Sequence, residues 1–303
     1  MDNEVKQGRL RRSWELTKSS WTVFTLDKEL AAIPLLSVLM SILALIVFAA
    51  ISTAVGLQMG ALSIHSGTTS AQIPRWLTAA GTLVAYFVLT LISNYYSAAL
   101  IYGATQRFNG EDPTVRSSLA GARHKFYPLA MFSLMMASIG LIFRTLEERI
   151  PFAGKIAVWI LDAAWSVANV FAVPVIVLSE TNIAPLDATK QSVKIIKKVW
   201  GESVIVNTGI GIIGLFAIVC YWVVAMLLGA LGSAMHIPLG VGILAAVIGI
   251  LGLLALIFIL TALSAIAKAA LYHYAITGEA PASFNKNLLH ASISPKKARR
   301  IFG

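Results

Sequence analysis

Six stretches of this chain are apolar for long enough to cross a lipid bilayer, and nothing else in the sequence restricts its fold so severely. A helix needs about 20 mostly apolar residues to traverse the hydrocarbon core. The stretches cover residues 33–57, 76–102, 126–143, 156–178, 204–231 and 238–267, the third being the shortest. Backbone groups in lipid must be bonded internally, and no alternating ten-residue pattern marks a barrel, so the stretches are expected to be helices. Only 13% of the residues are charged, about half the roughly 25% of a soluble domain. The expected fold is therefore all-α: a polytopic membrane protein with six transmembrane helices in three hairpins, each preceded by a basic amphipathic cytoplasmic helix. Residues 1–303 form one membrane domain on this reading. Its parts are a cytoplasmic amphipathic segment (1–32), the six-span bundle (33–275) and a basic cytoplasmic tail (276–303). The first apolar run follows 32 polar and mixed residues and has no small-residue cleavage site behind it, so it does not read as a cleaved signal peptide.

The connections set the orientation, because Lys and Arg are retained on the cytoplasmic side. The N-terminal segment carries Lys6, Arg9, Arg11, Arg12, Lys18 and Lys28, and the connection after the second run carries Arg107, Arg116, Arg123 and Lys125. Lys190, Lys194, Lys197 and Lys198 follow the fourth run, and Lys286, Lys296, Lys297, Arg299 and Arg300 follow the sixth. The alternate connections hold only Arg75 and the group Arg144, Arg149 and Lys155. Both termini are thus expected in the cytoplasm of a multi-pass protein of the cell (inner) membrane.

Three of the basic segments share a pattern. Leu10, Trp14, Thr17, Trp21 and Phe24 recur at three- and four-residue steps, as do Val115, Leu119, Ala122 and Phe126, and Leu186, Thr189, Val193, Ile196 and Trp200. Such spacing puts one apolar stripe on a helix. Ser13, Ser118 and Ser192 are each followed five residues on by a cation (Lys18, Arg123, Lys197) and eight residues on by an aromatic (Trp21, Phe126, Trp200). This reads as a degenerate threefold repeat of amphipathic helix plus hairpin. Two roles are open for these helices: plain elbows that position the hairpins, or surfaces whose Lys18, Arg123, Lys190, Lys194, Lys197 and Lys198 face anionic headgroups.

Few polar residues interrupt the apolar runs. Asp162 is the one acid well inside a run, where a carboxylate needs a partner or a task. It pairs with Arg144, Arg149 or Lys155 on one reading and serves as a protonation or ion site on the other. Asn94, Asn169 and Asn207 are placed to hydrogen-bond between helices, and Pro174 is expected to kink the fourth run or line a cavity. The last two runs contain Gly209, Gly211, Gly214, Gly249 and Gly252, which allow close approach to another helix or another protomer.

The sequence offers little for catalysis. One cysteine, Cys220, excludes an intrachain disulfide and a cysteine-built metal site, and the five histidines lack metal-ligand spacing. No phosphate-binding loop or nucleophile elbow is present. No cofactor is expected, and an enzyme is disfavoured. The net charge of +10 is distributed among elbows and tail rather than over a folded basic surface, so no nucleic-acid partner is expected.

Residues 113–123 (Pro-Thr-Val-Arg-Ser-Ser-Leu-Ala-Gly-Ala-Arg), 146–149 (Leu-Glu-Glu-Arg), 163–165, 174–180, 192–203 and 269–279 together carry a resemblance. From Gly8 to about Pro295 the chain resembles a family of uncharacterised six-span bacterial and archaeal membrane proteins, a domain of unknown function. In plan alone it is also similar to the membrane region attached to some glycerophosphodiester phosphodiesterases, whose soluble catalytic domain is absent here. The resemblance implies a fold and no activity. The expectation is a non-catalytic scaffold or lipid-interacting protein, oligomeric in one version. The alternative is a small-solute or ion transporter using polar residues near Asp162.

Overall fold

The computed structural model describes residues 20–21, 28–58, 74–198, 219, 221–223, 226, 239–278 and 281. Among the described residues all regular structure is α-helical and no strand occurs. The helices are α1 (Lys28–Gln58), α2 (Arg75–Phe108), α3 (Val115–His124), α4 (Phe126–Arg149), α5 (Phe152–Ala168), α6 (Ala172–Leu178), α7 (Pro185–Lys198) and α8 (Leu239–Thr277).

Among the described residues five segments are long and apolar enough to span a bilayer: Ala32–Gln58, Trp76–Phe108, Phe126–Arg149, Gly154–Leu178 and Ile259–Thr277. The fifth expected span, residues 204–231, falls almost wholly outside the described residues. The third span is longer than its apolar run, because α4 continues through Arg144 to Arg149. Those charges can stay helical near a membrane surface, since long side chains reach outward from a helix end. Arg144 donates from its guanidinium to Tyr86 Oη at 3.2 Å and pairs with Glu148 at 3.5 Å.

The chain divides into two compact units. One comprises Leu35–Tyr102 and Val115–Lys194. Within it α4 and α5 are joined by Ile150–Pro151 and pack on each other, and α4 also packs on α3 and α6. Leu129 and Phe132 of α4 and Phe171, Val175 and Ile176 beside and within α6 are buried there. Leu39, Ile46 and Ile51 of α1 are instead more than half exposed. An apolar, exposed face of that length suits lipid and would aggregate in water.

The other unit comprises Met1–Pro34, Gly103–Thr114 and Ile195–Gly303. Its described core includes Leu30, Ile33, Ala104, Ile266, Ala270 and Leu271. α2 ends there in a paired-bond cap: Gly110 N–H donates to Arg107 O and Glu111 N–H to Gln106 O. Gly110 takes φ +82°, the left-handed conformation that this cap requires and glycine adopts without strain.

Candidate functional site

The fourth span is two helices. α5 stops at Ala168 and α6 starts at Ala172. A proline clashes with the carbonyl four residues earlier, which for Pro174 is Val170. The interruption lies at that point, with Pro174 itself tolerated in the first turn of α6. Across it the backbone tightens to three-residue steps, Val170 N–H to Val167 O at 3.1 Å and Ala172 N–H to Asn169 O at 3.0 Å. Phe171 N–H then lacks a helical acceptor, although Phe171 is fully buried.

α7 supplies what the broken span lacks. Phe171 N–H donates to Ser192 Oγ at 3.0 Å. Asn169 Nδ2 donates to Trp165 O at 2.8 Å, which turns the amide oxygen toward α7, and Thr189 Oγ1 donates to that oxygen at 2.7 Å. Low local dielectric strengthens such bonds and makes any unpaired member costly. Lys125, between α3 and α4, fastens the far end of α6 by donating from Nζ to the carbonyls of Glu180 and Thr181 at 3.3 and 3.1 Å.

The buried side of α7 comprises Ala188, Thr189, Ser192, Ile195 and Ile196, while Leu186 is exposed. In α3 the buried residues are Ser118, Gly121 and Ala122, and Phe126 after it is exposed. Both faces are therefore rotated from the sequence-expected stripes toward the serine. Close helix packing favours small residues, and it leaves the larger apolar groups to face outward. Ser118 and Ser192 are both fully buried, but only Ser192 caps a broken span. Ser118 Oγ has no hydrogen-bond partner among the described residues.

The opposite face of α7 carries cations. Lys190, Lys194 and Lys197 are all exposed, and at 100° per residue they lie within about 60° of one another. Leu186 and Val193 flank them on the same side of the helix. Lys190 also meets Asp187 at 3.0 Å in an exposed pair, which competes weakly with other anions. Arg123 is exposed on α3, as is Arg116. Lys198 ends α7, its side chain lying outside the described set, and Lys18 lies outside the described residues altogether.

The described in-span polar residues Asn94, Asp162 and Asn169 share no hydrogen bond or ion pair among the described residues. Asn94 donates from Nδ2 to Ser133 Oγ at 2.9 Å, and Ser133 donates to Leu129 O at 2.7 Å, a bond that ties α2 to α4. A double-mutant cycle of Asn94→Ala and Ser133→Ala, read by unfolding in detergent, should give a coupling of about 0.6–1.7 kcal/mol; strict additivity would remove this bond from the account. Asp162 is exposed on α5 beside exposed Trp159, Ile160 and Leu161. It makes no hydrogen bond or ion pair among the described residues, so the expected pairing with Arg144, Arg149 or Lys155 is absent there. Eight residues from Gly154, it lies about 12 Å along the span, short of the helix centre, where a carboxylate would cost about 2.5–3.5 kcal/mol on insertion scales.

Asn207, Gly209, Gly211 and Gly214 lie outside the described residues. Gly249 does sit at a close approach: a Cβ there would meet Tyr221 Oη at 3.0 Å, whereas one at Gly252 would meet open space. Among the described residues no three His, Cys, Asp or Glu side chains gather as a metal site would need.

The broken span and its capping residues were only half visible in the sequence. Pro174 signalled a kink and Asn169 an inter-helix hydrogen bond, but a serine and a threonine on an amphipathic helix carry no mark of which backbone they will bond.

A family model described as a family of unknown function, DUF6159, matches residues 77–282. That range contains α3 to α8, including the broken span and α7. No curated protein and no solved structure matches the chain.

Proposed function

The chain belongs to the DUF6159 family of unknown function, and from that premise we propose that it is a non-catalytic membrane scaffold which holds anionic lipid headgroups on basic surface helices. The observation that carries this reading is α7: one face locked by Ser192 and Thr189 into the fourth span, the other presenting Lys190, Lys194 and Lys197. A helix fixed in this way offers its cations without first having to be ordered. Arg116 and Arg123 of α3 make a second, smaller surface of the same kind. In the full reading the protein spans the inner membrane six times, as three hairpins with cytoplasmic termini, and the cations lie at the cytoplasmic leaflet, where anionic lipid concentrates.

Each cation near such a surface contributes on the order of 1 kcal/mol. Reversing Lys190, Lys194 and Lys197 to Glu together should weaken binding of a fluorescent phosphatidylglycerol to the detergent-solubilised protein at least 100-fold. Binding of a phosphatidylcholine probe should be unchanged. Equal phosphatidylglycerol affinity in the triple variant would sink the headgroup role.

A transporter is the second reading, favoured by the discontinuous fourth span, since transporters build their sites at broken helices. Against it, the interruption is filled by side chains of the same chain: Phe171 N–H and both ends of the Asn169 amide are bonded. Flux of ions and small solutes into proteoliposomes, with and without Asp162→Asn, tests it directly. Flux that Asp162→Asn abolishes would establish transport over scaffolding.

A further inference from the structure

α8 is the longest described helix, and it carries one charged side chain. It runs unbroken from Leu239 to Thr277, 39 residues or about 58 Å, which exceeds the roughly 40–45 Å of a bilayer with its headgroups. Lys268 is its only Lys, Arg, Asp or Glu. It stands about 44 Å from Leu239 along the axis, so with Leu239 at one membrane surface it reaches the headgroups of the other. A lysine at that depth ordinarily lays its stem along the helix and puts its ammonium into water. Lys268 is instead half-buried, and Ala265, Leu271 and Tyr272, one turn away on its own face, are all buried. The lysine therefore sits on the side of α8 that packs into the chain.

No described carboxylate meets it there. Among the described residues Lys268 makes no hydrogen bond or ion pair. The described acids of its compact unit are Glu29, Glu111 and Asp112. Asp112 pairs with Arg107 at 3.5 Å, Glu111 accepts from Gln106 at 3.1 Å, and Glu29 is engaged elsewhere. Tyr272 lies one turn on, about 6 Å along and 40° round the helix from Lys268. It is only 7% exposed, and its hydroxyl makes no hydrogen bond among the described residues. Buried donors without acceptors are costly. Two of them on one helix face, one charged, call for a shared acceptor that carries negative charge.

We propose that Lys268 and Tyr272 bind a phosphate group, either that of an anionic phospholipid or that of a soluble phosphate entering at headgroup depth. A phosphate presents several acceptor oxygens around one centre of charge; lysine meets it as a point charge, and a hydroxyl can take a second oxygen. One ligand thus satisfies both donors. It is also the anion that the headgroup layer presents in quantity. The site is separate from the lysine face of α7, and either can fail without the other.

Amine labelling tests the proposal at Lys268 itself. The full-length protein, stripped of lipid in detergent, is treated with an acetylating reagent, and the rate at each lysine is read by peptide mass spectrometry. Phosphatidylglycerol should slow acetylation of Lys268 at least fivefold, whereas diacylglycerol with the same chains should not. In Tyr272→Phe the phosphatidylglycerol concentration that gives half protection should rise at least threefold. Inorganic phosphate separates the two sources. Protection by it as well shows that the phosphate group alone suffices, and protection by the lipid alone assigns the site to a headgroup; both outcomes support it. Protection by neither probe, equal protection by diacylglycerol, or an unchanged half-protection concentration in Tyr272→Phe would each overturn it. So would a Lys268 that does not acetylate in the lipid-free protein.

Discussion

Ser192→Ala is expected to destabilise the protein by about 1–3 kcal/mol, the cost of stranding a buried backbone donor. The substitution removes one oxygen and creates almost no cavity. Its effect should therefore come nearly all from Phe171 N–H, which donates to Ser192 Oγ at 3.0 Å and sits at a fully buried residue. Water cannot replace the acceptor cheaply at such a position, and the carbonyl that a continuous helix would have offered, Val167 O, accepts instead from Val170 N–H at 3.1 Å. Unfolding by sodium dodecyl sulfate in mixed micelles, followed by helical circular dichroism, measures the difference. Gln191→Ala, one residue away and exposed, should change stability by less than about 0.5 kcal/mol. Thr189→Val should behave like Ser192→Ala, because it leaves Asn169 Oδ1 without its donor. If both variants matched Gln191→Ala, α7 would not be the element that holds the broken span together.

Gly121→Ala carries the other large effect, and here two terms oppose each other. Alanine in a helix interior is favoured over glycine by about 1 kcal/mol. A Cβ at position 121, however, would overlap the ring of Tyr102 at Cγ, Cδ1 and Cε1. The overlap includes the ring atom nearest the backbone, so a small tilt of the ring does not relieve it. Tyr102 must change rotamer, and its place in α2 restricts the choices. Overpacking of this kind costs about 1–3 kcal/mol, so the net effect in the native background should be destabilising. In a Tyr102→Ala background the overlap is gone and the sign should reverse, with Gly121→Ala now stabilising by up to about 1 kcal/mol. The same micelle unfolding assay reads both arms. Stabilisation of equal size in both backgrounds would mean that α3 does not approach Tyr102 closely.

Apolar run length alone anticipated helices at all five of the described spans, and the basic elbows α3 and α7 were anticipated from their three- and four-residue periodicity. What the periodicity did not show was which side of those elbows packs within the chain: Leu186 and Phe126 are exposed, and burial follows Ser118, Gly121 and Ser192, because close helix packing favours small residues. The interruption at 169–171 was partly legible through Pro174, which acts locally on the carbonyl of Val170. Its repair was not legible, since Ser192 lies 21 residues from Phe171 and only folding brings them together. Asp162 was legible as an anomaly, whereas its exposure depends on which face of α5 the neighbouring helices cover.

By itself, then, the sequence determined that this is a helical membrane protein and where its scarce charges concentrate. Those properties follow from the cost of placing unbonded backbone and charge in lipid, a cost that each segment bears alone. The tertiary structure decided which polar groups are satisfied within the chain and which are left facing outward. Asn94, Asn169 and Phe171 found partners on other helices; Asp162 found none among the described residues. A hydrogen bond between helices depends on the rotation and depth of both, and neither is written in either segment separately.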